Sequence, residues 1–137
     1  MKVSLQISPT SLAAFNANLT TTQEVVTGAA QTGFSDVSSK LFYKVLNNTP
    51  RKTGTLAKSG KLSTETTASL LRSVISFGDA TVNPQNGKKT SEYAVIVHEV
   101  YREAHPASYK WLERTVNSYA SEAMINDLAA AIQSALR

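Results

Sequence analysis

Apolar residues recur at intervals of three, four or seven from Leu12 to Val45, and this stripe constrains the fold more than any other feature. Leu12, Phe15, Leu19, Val26, Ala30, Val37, Leu41 and Val45 predict an amphipathic helical region of up to ~40 residues. Ser8-Pro9 reads as its start, with Ser8 capping and Pro9 at the first helical position. The Thr20-Thr21-Thr22 run, Gly28 and Gly33 each weaken the helix, so a kink or a split into two helices is expected. Asn47-Asn48-Thr49-Pro50 ends it, because a proline pushes the residue before it out of the helical region.

The first seven residues alternate instead. Val3, Leu5 and Ile7 fall on one side and Lys2, Ser4 and Gln6 on the other, predicting a short strand with one buried face. This alternation is also unlike the apolar block of a signal peptide. Leu70 to Phe77 carries apolar residues in both phases, which suits a strand covered on both faces. Tyr93 to Val100 reads as a second strand, pairing with the first in a hairpin across a loop of about 14 residues. After His105-Pro106 the chain turns helical to its end, with Leu112, Val116, Tyr119, Ala123, Leu128, Ile132 and Leu136 on the stripe. Some 30 residues of helix would span about 45 Å. Helical flanks around a β middle make the fold class α+β. A length of 137 residues with neither repeat nor low-complexity tail fits a single domain over 1–137.

Composition narrows the function classes. Hydrophobic residues at 42% and charged residues at 18% belong to a folded chain, not a disordered one. Zero cysteines exclude disulfide scaffolds, thiol catalysis and Cys-ligated zinc, and are compatible with a reducing compartment such as the cytoplasm. No apolar run approaches the ~18–20 residues of a membrane helix. The net charge of +4 is concentrated in one place: Arg51, Lys52, Lys58 and Lys61 stand in residues 49–62 without an acid. Residues 49–66 otherwise hold Thr, Ser and Gly with little periodicity, and read as an extended, mobile basic loop. Its bases suit an acidic partner or a phosphate backbone.

Catalytic constellations do not emerge. His98-Glu99 lacks the second histidine that a His-Glu-x-x-His zinc helix requires, since the next one is His105. No Gly-x-Ser-x-Gly elbow exists, and Gly54-Thr-Leu-Ala-Lys-Ser-Gly60 lacks the Gly-Lys-Ser/Thr step of a phosphate loop. Expected catalytic, metal and cofactor-binding residues are therefore none, and the expectation is a protein that is not an enzyme. Trp111 beside Leu112 is expected to pack on the sheet, and Tyr93 to keep a wet hydroxyl.

Three blocks in order carry a resemblance. Thr49-Pro50-Arg51-Lys52-Thr53-Gly54-Thr55-Leu56-Ala57-Lys58-Ser59 follows a long helix; Tyr93-Ala94-Val95-Ile96-Val97-His98-Glu99 comes next; His105-Pro106 and Lys110-Trp111-Leu112-Glu113 precede the closing helix. Over roughly residues 35–125 this pattern resembles the tail-completion or head–tail connector proteins of tailed bacteriophages, also labelled neck or minor capsid proteins. The resemblance implies a structural virion protein at the head–tail junction, assembled in the host bacterial cytoplasm. It implies a homo-oligomeric ring of six or twelve copies, contacting portal or adaptor on one side and tail terminator or tube on the other. A tail terminator or other tail subunit is the alternative within phage biology. A nucleic-acid-binding module using the basic loop is the alternative of another class. For either partner, Arg51, Lys52, Thr53, Gly54, Leu56, Lys58 and Lys61 are the candidate contact residues. Leu56 would be an apolar anchor and the bases would face acidic protein or the passing viral DNA.

Overall fold

The computed structural model describes residues 1–7, 23–67, 69–120 and 122–135. The expected helix start at Ser8-Pro9, the stripe residues Leu12, Phe15 and Leu19, and the closing Leu136 lie outside them. Strand β1 (Lys2–Ile7) is followed by helix α1 (Gln23–Asn48), a single turn of helix α2 (Thr55–Lys58), and strands β2 (Lys61–Thr66) and β3 (Leu71–Ser76). Helix α3 (Thr90–Glu99), a 3-10 turn (Pro106–Ser108), and helices α4 (Trp111–Tyr119) and α5 (Glu122–Ala135) complete the chain. The class is α+β, with long helices toward both ends.

Helix α1 is the central element. It packs against α4 and α5 and also against β2 and β3. Val26, Ala30, Phe34, Val37, Leu41 and Val45 lie on one stripe of it and are all buried. The helix runs unbroken through Gly28 and Gly33. At Gly33 the reason is packing: a Cβ there would stand 3.2 Å from the Ala131 Cβ and 3.3 Å from Leu128 Cδ1. The missing side chain lets α5 approach, which offsets the ~1 kcal/mol that glycine costs a helix interior. The helix stops where Pro50 requires, with the Thr49 hydroxyl donating 2.8 Å to the Val45 carbonyl.

The sheet is antiparallel, in the order β1-β3-β2. Its rows explain its two faces. Val3, Ile75 and Leu62 stand in register, as do Leu5, Ser73 and Thr64, and Ile7, Leu71 and Thr66. The opposite face carries Lys2, Ser76 and Lys61, then Ser4, Val74 and Ser63, then Gln6, Arg72 and Glu65. The predicted alternation of β1 is present. On β3, Leu71, Ser73 and Ile75 are buried while Arg72 is exposed, so one face is core and the other is not. The buried Ser73 hydroxyl donates to Ser38 of α1 at 2.6 Å, which satisfies a polar group that would otherwise cost stability in the core.

Two expected element assignments are overturned. Residues 93–100 do not form a strand, and β3 has no hairpin partner there; residues 93–99 belong to helix α3, and β3 pairs instead with β1 and β2. Residues 49–66 are not one extended loop, since they contain α2 and β2. Beyond these, the closing helical region divides: α4 ends at Tyr119 and α5 begins at Glu122. The division corrects the drift of the apolar stripe. Met124, Leu128 and Ile132 are buried at spacings of four, and Ala123 is exposed.

Candidate protein–protein interface

The basic segment is tied down at several points. The Arg51 guanidinium donates 2.9 Å to the Leu46 carbonyl, capping the end of α1. The Thr53 and Thr55 hydroxyls are 2.8 Å apart, and Gly54 between them has φ 77, a left-handed conformation that opens α2. A Cβ at Gly54 would meet nothing within 4 Å, so the constraint on this position is its backbone and not space. Leu56 is 5% exposed and belongs to the main core cluster. It is therefore a packing residue and not a surface anchor; a single helical turn is enough to point it inward. Ser59, also buried, donates to the Leu56 carbonyl at 2.6 Å and accepts the Gly78 N–H at 3.1 Å. The segment is thus ordered within the chain, because Leu56 and Ser59 attach it to the core and to the turn after β3.

The four bases divide accordingly. Arg51 caps α1, and Lys61 pairs with Asp79 at 3.7 Å. Asp79 has a carboxyl held down at about 2, mainly by hydrogen bonds from Thr81, with Thr90 and the Lys61 charge adding to them. Lys52 and Lys58 are exposed and make no ion pair among the described residues. Of the expected contact set, Lys52 and Lys58 present free charge at the surface, and Thr53 and Gly54 are half-buried beside them.

Helix α3 contacts α2 and so adjoins this segment. The Glu92 carboxylate accepts the Lys89 N–H at 3.1 Å, starting the helix with an acid where the dipole favours one. Thr90, Ala94 and His98, spaced by four, are buried, with Tyr93 and Val97 packed beside them. The Thr90 hydroxyl accepts the Asp79 N–H at 2.8 Å, fixing α3 to the turn after β3. His98 uses both ring nitrogens. Nδ1 lies 2.6 Å from Glu99 Oε1, and Nε2 accepts the Glu113 N–H at 3.4 Å. This pairing assigns the proton to Nδ1, donating to the carboxylate.

Glu99 also holds the Lys110 ammonium at 2.6 Å, and Lys110 reaches Glu113 at 3.3 Å. The hydrogen bond from Lys110 holds the Glu99 carboxyl below its ordinary range and raises the Lys110 ammonium in return. Lys110 itself has φ 53, and its N–H donates 2.7 Å to the His98 carbonyl. These contacts lock α3 to the start of α4. They give the His98-Glu99 pair a structural role. Among the described residues no group of three or more His, Cys, Asp or Glu could hold a metal ion.

The other side of α3 is different. Val95 and Ile96 are each about half exposed, at 49% and 48%, between Glu92 and Glu99 on the outward stripe. Val100 and Tyr101 extend that surface, and the Tyr101 ring meets Tyr109 edge-on at 5.8 Å between centroids. Five large apolar or aromatic side chains thus stand exposed along one short stretch. Singly scattered exposed hydrophobics need no explanation, whereas several near one another make a candidate contact face. The helical period would have singled out Val95 and Ile96 as outward-facing; read as a strand, they are hidden. Tyr93 departs from expectation too, because its hydroxyl is buried without a hydrogen-bond partner among the described residues.

Among the described residues no helix is long and apolar enough to cross a membrane. No family model, curated protein or solved structure matches the chain.

Proposed function

We propose that this chain is a structural protein of the bacteriophage neck, one subunit of a homo-oligomeric ring that joins the DNA-filled head to the tail. The observation that carries the reading is the exposed run Val95, Ile96, Val100, Tyr101 and Tyr109 on and after α3. An apolar, aromatic surface suits burial against a neighbouring subunit, and Tyr is favoured at such interfaces because its ring packs while its hydroxyl finds a polar partner. The three sequence blocks that resemble the tail-completion family include this helix and the adjoining Thr-Pro-x-x-Thr-Gly-x-Leu segment. Heterologous contacts that close on themselves generate a ring, and the resemblance favours six or twelve copies. Portal or adaptor, and tail terminator or tube, are the neighbours above and below. In this reading Lys52, Thr53, Gly54 and Lys58 contact one of them.

The reading as a nucleic-acid module is weakened by the partners of Arg51 and Lys61, which leave two unpaired bases in the segment where four were counted. A non-specific touch on passing viral DNA stays compatible with Lys52 and Lys58. The reading expects no catalytic activity. Mass spectrometry of purified phage particles tests the assignment: the protein should be present in every particle at a fixed, low copy number. Abundance as a soluble protein absent from particles would overturn it.

A further inference from the structure

The C-terminal end of α1 and the outer face of α4 enclose an open cleft of about 780 Å³, a volume in the range of ligand sites. Its charged lining residues are Lys44 and Arg114, both exposed, and no carboxylate lines it among the described residues. Asp127 and Glu113, near the cleft, are engaged elsewhere. Asp127 accepts the Lys40 ammonium at 2.6 Å and the Tyr119 hydroxyl at 2.7 Å, with a longer-range attraction to Lys44. Glu113 is paired with Lys110. Arg114 has only a 3.3 Å bond to the Tyr109 carbonyl, and Lys44 lies 5.3 Å above the Tyr119 ring centroid. Asn47 and Asn48 stand beside the two cations. Asn48 donates its amide N–H to Thr115 at 3.0 Å, which orients its carbonyl oxygen as an acceptor.

We propose that this cleft binds an extended acidic peptide segment of a partner protein, with Lys44 and Arg114 receiving its carboxylates and Asn47 and Asn48 its backbone amides. Charge selects the class: two cations in a lining without a carboxylate attract acidic groups, and primary amides match a peptide backbone in both donor and acceptor senses. A nucleic acid fits less well. Single strands are held by stacking on open rings, and the rings that line this cleft, Trp111 and Tyr119, are 2% and 5% exposed. The site shares no residue with the α3 face and does not depend on the ring assignment.

Trp111 is the only tryptophan in the chain, so its fluorescence reports on the cleft that it lines. The probe is a blocked hexaglutamate peptide titrated into the full-length protein at low salt, with calorimetry alongside. Saturable binding that weakens as salt rises is expected. Lys44→Gln and Arg114→Gln should each weaken it about threefold and together about tenfold, as for exposed ion pairs. Both residues are exposed, so circular dichroism should stay unchanged. Lys52→Gln with Lys58→Gln should bind like the parent. The proposal is overturned if neither method detects saturation, if the double cleft variant binds as well as the parent, or if hexalysine binds equally. Tighter binding of a short oligothymidine would assign the cleft to nucleic acid instead and overturn it as well.

Discussion

Leu56 and Lys58 lie two residues apart in a single turn of helix, yet substitution should separate them widely. Leu56 is in the core, so Leu56→Ala is expected to destabilise the fold by ~2–5 kcal/mol in urea unfolding. Lys52→Ala and Lys58→Ala, at exposed positions, should stay within about 0.5 kcal/mol of the parent. Gly54→Val falls between, at about 1–3 kcal/mol, because valine must adopt φ 77 although space is open around it. Sequence composition ranks these residues together as one polar, basic stretch; two leucines and two glycines say nothing of which way a side chain points. Asp79 adds a pH dependence. Its carboxyl sits near 2 in the fold against an ordinary 3.8, so its contribution is fully present above about pH 4 and is lost as pH falls toward 2. Asp79→Asn should flatten that part of the acid-unfolding profile, read by circular dichroism against pH.

At the scale of elements, the contest lies in α3. Val95-Ile96-Val97 is a β-branched run, and by propensity it belongs in a strand. Tertiary packing decides otherwise. Thr90, Ala94 and His98 at spacings of four fit against the core, and Glu92 starts the helix. Substitution separates the two readings. In a strand, Tyr93, Val95 and Val97 would share a face, so Val95→Asp would put a charge among them. In the helix, Val95→Asp and Ile96→Asp should be nearly neutral in stability. Ala94→Asp, at a position 1% exposed, should cost more than ~3 kcal/mol for an unpaired buried charge. Urea midpoints of the three variants check this. Strand β2 was hidden for the opposite reason. Lys61-Leu62-Ser63-Thr64-Glu65-Thr66 is an edge strand with one large apolar residue, and what makes it a strand is its register with β3, which lies outside its own sequence. By contrast, β1 and α1 bury regular stripes against the core, and regular stripes are what periodicity detects.

For the whole molecule, the α+β class and the helical flanks were legible because class depends on the count and order of strongly periodic segments. The exposed apolar residues were not, because Val95 and Ile96 lie on α3, whose helical period is hidden by a β-branched run. Val95 and Ile96 face outward together only in a helix, and Val100 and Tyr101 follow directly after its end. The central claim is that this face assembles copies of the chain, alone or on a neighbouring neck ring. Native mass spectrometry tests it most directly, comparing the parent with the Val95→Asp, Ile96→Asp double variant, each alone and mixed with the neck proteins that the proposed function assigns as partners. The expected result is a cyclic multimer of the parent, six or twelve copies by resemblance, and a folded monomer of the variant under the same conditions. A parent that stays monomeric in every mixture, or a variant that assembles as readily as the parent, would contradict the account.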